Sequence, residues 1–148
     1  MTRLVTLVVI ALALVSTQVE ARSKRIHVTA EVTQATFTGV QADPQLGDRS
    51  ITSVDLFDDN HTKVGTGTGF CTIVSLPPLE ARVQCLLSAT FDDEGQIIFA
   101  GVAPVPVVGV TAHFGILGGT ERFRKARGDV TITVLTPELT QDVTIDIE

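Results

Sequence analysis

Cys71 and Cys85, the only two cysteines of the chain, are the pair whose spacing says most about chemistry. Their midpoint falls on Pro78, so a hairpin centred at Pro77-Pro78 sets them directly opposite each other on neighbouring strands. Residues so placed have Cβ atoms about 4.5–5.5 Å apart, which admits a disulfide after modest backbone adjustment. Two buried thiols packed as small hydrophobes are the alternative. A CxxC redox motif is absent, and two thiols without matching histidines make a poor zinc site. His113 has no His or carboxylate at metal-ligand spacing, and His27 and His61 read as structural or solvated. Asp58-Asp59-Asn60 lacks the Gly and closing Glu of a calcium loop and reads as a turn. Asn60-His61-Thr62 is a sequon, so Asn60 is a candidate glycan acceptor in a eukaryotic secretory pathway. The glycines Gly65, Gly67 and Gly69 lack the Lys-Ser/Thr of a phosphate loop, and no serine-nucleophile elbow occurs. Neither a metal nor a cofactor is expected.

Composition narrows the class further. The 148 residues are 44% hydrophobic and 19% charged, enough for one domain with a real core that buries about two-thirds of its unfolded surface. A net charge of -6 with no basic stripe argues against a nucleic-acid partner. Arg3, the apolar run Leu4 to Val15 and the small residues Val19 and Ala21 form a signal peptide over residues 1–21. That run is well short of the ~20 residues a span needs, so no membrane span is expected after cleavage; an uncleaved anchor is the rival. The mature domain, residues 22–148, is then expected to be secreted, either extracellular or periplasmic.

The elements that must carry these residues are strands. Thr, Val and Ile are abundant, alternation has period two, and Gly, Asp, Asn and Pro punctuate the segments. Strands are predicted at Ile26–Thr38, Ile51–Phe57, Lys63–Ser75, Arg82–Phe91, Gln96–Ala103, Val110–Leu117, Asp129–Thr136 and Gln141–Ile147. Eight strands without a competing helix give an all-β barrel or sandwich. Val130, Ile132 and Val134, like Val143, Ile145 and Ile147, share one face and mark half-buried strands. In Arg82–Phe91 the second face is mixed, as expected of a strand lining a cavity or a subunit contact.

Three blocks between Leu46 and Ile147 carry a family resemblance. Leu46-Gly47-Asp48, Leu56-Phe57 and Val64 through Cys71 form the first; Ser88-Ala89-Thr90-Phe91 with Gly95 and Gly101 form the second. The most specific is Gly118-Gly119-Thr120-Glu121-Arg122-Phe123-Arg124-Lys125-Ala126-Arg127-Gly128. Together they resemble the allene oxide cyclase and dirigent superfamily, departing from the dirigent pattern at Glu121-Arg122. The resemblance implies a single-domain, eight-stranded antiparallel β-barrel with an apolar pocket, commonly assembled as a homo-oligomer, in particular a trimer. From the cyclases it carries over a first-strand carboxylate, Glu31, and a pocket cysteine, Cys71; Val54 stands where they hold a water with Asn. A carboxyl buried in an apolar barrel has a raised pKa and serves as acid or base. From the dirigent proteins it carries over a catalytic Asp55 and the ligand-binding Arg124 and Arg127, an acceptor and two fixed donors for substrate oxygens; a salt bridge on the barrel surface is the alternative for these charges. The implied function is a secreted small-molecule-binding barrel that shapes or holds an apolar ligand. The alternatives are a cyclase or isomerase using a pocket carboxylate, and a non-catalytic structural oligomer.

Overall fold

The computed structural model describes residues 23–39 and 43–148; the expected signal peptide lies outside the described residues. Eight strands follow in order: β1 (Lys24–Phe37), β2 (Arg49–Phe57), β3 (Lys63–Ser75), β4 (Arg82–Phe91), β5 (Gly95–Pro104), β6 (Thr111–Gly119), β7 (Gly128–Val134) and β8 (Gln141–Ile147). Each pairs with the next, and β8 pairs back onto β1 from Lys24↔Ile147 to Ala30↔Gln141, closing an antiparallel barrel. A sandwich is thereby excluded. The ends differ slightly from the sequence reading because partners set them: Lys24 joins β1 by pairing with Ile147, and β6 reaches Gly119 by pairing with Ile97. No helix among the described residues is long and apolar enough to cross a membrane.

Alternation sends one face of each strand inward. The core includes Val28 and Ala30 of β1, Leu56 of β2, Phe99 of β5, Val130 of β7 and Ile145 of β8. One end of the barrel is solid. Ile97, Val130 and Ile145 are fully enclosed there, and the ring of Phe91 meets that of Phe123 with centroids 5.7 Å apart. Phe123 comes from a 3₁₀ turn, Glu121–Phe123, in the β6–β7 connection, and burying such a ring stabilises by about 1.5–3 kcal/mol. The turn needs the preceding Gly118-Gly119. Gly118 has φ +146°, and a Cβ on Gly119 would stand 2.2 Å from the Gln96 carbonyl oxygen.

The other end is open. It carries the β1–β2, β3–β4, β5–β6 and β7–β8 connections, and its rim is uneven. Pairing of β1 with β8 stops at Ala30↔Gln141, whereas pairing of β1 with β2 continues past a bulge at Val32/Gln34 to Phe37↔Ser50.

Candidate functional site

Toward the open end the inward side chains are too small to meet. Ala30, Gly67, Gly69, Ala89, Ala103 and Ala112 leave a cavity of about 480 Å³, bounded by the larger Leu87, Phe99, Phe114 and Ile132. That volume suits a drug-sized organic molecule. The cavity reaches the open rim at Phe37, Thr38, Pro44 and Val105. Its polar lining includes Ser50 and Thr52 of β2 and Gln141 of β8. Among the described residues, ionisable ones reach it only as Asp48 and Arg49, where β2 begins, and no polar or charged residue is buried. Away from the mouth, the described residues therefore offer no ionisable group to exchange a proton with a ligand.

Asp48 is held in place. Its Oδ2 accepts from the Gln45 backbone N–H at 2.9 Å, and its carbonyl accepts from the Ile73 N–H at 2.9 Å. Gly39, at φ +98°, passes so close that a Cβ there would collide with the carboxylate. Arg49 turns outward, its guanidinium 5.8 Å from the Phe70 ring centroid.

The cysteine pair is a disulfide. Cys71 and Cys85 are register partners in the β3–β4 hairpin, with Cα atoms 4.1 Å apart and an S–S bond of 2.05 Å. Both residues line the cavity, so its wall is cross-linked across two strands.

The other residues expected at the site lie elsewhere. Ala30 pairs with Leu56, and both face inward; one step on, Glu31 pairs with Asp55, which fixes both carboxylates on the outer face. Asp55 meets Lys63 Nζ at 2.8 Å. The expectation of two carboxylates inside the pocket is thus corrected by register. Arg124 and Arg127 are likewise outside the cavity. The segment that carries them buries Phe123 and Ala126 under the solid end, leaving both arginines exposed, and Arg127 Nη1 donates to the Ala126 carbonyl at 2.7 Å. Asn60 is exposed on the β2–β3 turn, also at the solid end.

Sequence reasoning missed Ser50, Thr52 and Gln141, and named Asp48 only within a motif. Alternation from Val54 and Leu56 carries inward to Thr52 and Ser50, which was the available signal. Gln141 opens its strand beside Ala30, a neighbour set by barrel closure.

His27 on the outer face is also more engaged than the sequence suggested. Its ring lies between Asp59 and Asp142, and these carboxylates, Asp142 foremost, raise its pKa above the ordinary 6.5.

Known structures share this architecture. Pyocyanin demethylase superposes with a TM-score of 0.72 at 20% identity, covering 83% of this chain and 99% of its own. The exo-specific intermolecular Diels-Alderase AbnU gives 0.72 at 17% identity, with 84% and 97% covered. A pterocarpan synthase dirigent protein gives 0.65 at 18% identity, with 85% and 86% covered. At such identities the likeness establishes fold alone. No curated protein matches the chain in sequence. The family model of the allene oxide cyclase barrel like domain matches residues 24–147, the whole barrel from β1 to β8, and the chain belongs to that family.

Proposed function

We propose that this protein is an exported barrel that holds a neutral, apolar small molecule in its cavity and constrains its shape. The observation that carries this reading is a cavity of about 480 Å³ with apolar walls and, among the described residues, ionisable ones only at its mouth. A charged group placed inside would lose its hydration with no opposite charge to replace it. Ser50, Thr52, Gln141 and Asp48 offer hydrogen-bond partners to a polar end of the ligand. The disulfide and the signal-like residues 1–21 support export, and in a eukaryotic route Asn60 would carry a glycan away from the mouth.

A homo-oligomer fits the outer wall. Ile51, Phe70 and Leu86 are successive register partners across β2, β3 and β4, and all three are exposed. The β1–β8 wall instead presents Arg25, Glu31, Asp142 and Asp146. An apolar row on one side only supports burial against a second copy.

A second reading is a cyclase that acts by confinement, favoured by the fold shared with a protein named as a Diels-Alderase. Turnover would then survive Glu31→Gln and Asp55→Asn and fall when the cavity is filled.

Native mass spectrometry of protein recovered from its own secretory route tests the main reading. A retained neutral molecule of defined mass is the expected result. Protein that is empty and also takes up no apolar compound added in solution would overturn it.

A further inference from the structure

The two ends of the barrel differ in chemistry, and the difference follows the cavity mouth. The solid end bears Asp58 and Asp59, Asp92 to Glu94, and the basic group Arg122, Arg124, Lys125 and Arg127. The open end bears exposed apolar tips on separate connections: Leu46, Leu79, the pair Val107 and Val108, and Leu135. Leu79 is 71% exposed and Leu46 is 66% exposed, more than any other large apolar residue described. Single exposed leucines are ordinary on a protein surface, but here every connection at one end supplies one. All 6 prolines also lie at this end, at positions 44, 77, 78, 104, 106 and 137, and they restrict the backbone that holds the tips out.

We infer that the open end is a lipid-docking surface that seats on a zwitterionic bilayer. The charges select that partner. The four open-end connections carry Asp43, Asp48, Glu80 and Glu138 and no Lys or Arg; the strand starts beside them add Arg49 and Arg82, the latter paired with Glu80 at 3.1 Å, which leaves the rim net acidic. Such a rim is repelled by anionic lipid, so apolar insertion must supply the binding. The tips surround the mouth of an apolar cavity, so a ligand dissolved in lipid could reach the cavity without crossing water. That route rests on the function proposed above; docking itself does not, and is measured without ligand.

The test is flotation of the mature protein with phosphatidylcholine vesicles. The parent should float with them, and Leu79→Glu combined with Val108→Glu should weaken binding about tenfold, by removing two inserted side chains and adding repulsion. Lys125→Glu, at the solid end, should bind as the parent does. The milder pair Leu46→Ser and Leu79→Ser, with circular dichroism on each variant, separates lost docking from lost folding. Replacing a third of the lipid with phosphatidylserine should reduce binding. Parent protein that fails to float, tip variants that float equally, or stronger binding to the anionic vesicles would each overturn the inference. So would tip variants that only split a mouth-to-mouth dimer, since the occupant would then be a second copy.

Discussion

Both ring nitrogens of His27 face carboxylates, Nδ1 at 2.5 Å from Asp59 and Nε2 at 2.6 Å from Asp142. Only the imidazolium offers two N–H donors, so the charged form alone satisfies both partners. Folding therefore raises the pKa of this group, through Asp142 first and Asp59 second. Such a group adds stability that is fully present below its unfolded value near 6.5 and is lost as pH rises through the folded value. His27→Gln should lower Tm relative to the parent at about pH 5.5, with the gap closing by about pH 9. Thermal melts at the two pH values check this, and a gap of constant size would contradict it. The effect is modest, because the His27 side chain is 41% exposed and solvent screens the pair. Glu31 makes the opposite point. It shares the outer face with Asp55, so Glu31→Gln relieves like-charge repulsion and should change stability by no more than about 0.5 kcal/mol. Ligand uptake should be unaltered by it. Fluorescence titration checks the second statement, and lost uptake would return Glu31 to the cavity.

Among the elements, the β3–β4 hairpin carries the one covalent constraint. Cys71 and Cys85 are 14 residues apart, and closing a loop of that size stabilises by roughly 3 kcal/mol in the chain-entropy picture. Replacing both with Ala should cost about that much in denaturant unfolding, plus the small loss from a cavity wall. An unchanged midpoint would show that the hairpin is held by its ladder alone. The cysteine register of this hairpin was legible in sequence, because turn chemistry and the cysteine midpoint agreed; the register shift between Ile73 and Ser75 was not. The catalytic assignments were not, for a physical reason. Alternation in β1 already puts Glu31 opposite Val28 and Ala30, and alternation in β2 puts Asp55 opposite Val54 and Leu56; motif likeness pointed the other way. Arg124 and Arg127 fell similarly, since Phe123 and Ala126 are the residues that segment buries. The mouth was illegible because it is assembled from connections far apart in sequence, whose meeting depends on β1 closing onto β8.

At the scale of the whole molecule, the barrel has a solid charged end, an open apolar end, one apolar outer wall and one charged wall. The apolar wall makes a prediction about assembly. Phe70→Glu together with Leu86→Glu should convert an oligomer to a monomer in analytical ultracentrifugation, while leaving the barrel folded. A parent that is already monomeric would assign that wall no such role. Uptake of neutral ligands by the cavity is measured by titrating the mature protein with phenylnaphthylamine, a neutral fluorophore, and with its sulfonated counterpart. The neutral compound should bind saturably, the anion at least about tenfold more weakly, and the neutral signal should be lost in Ala112→Phe, which fills the cavity from β6. Equal binding of both compounds, or binding of the neutral one untouched by Ala112→Phe, would contradict selective uptake by the cavity.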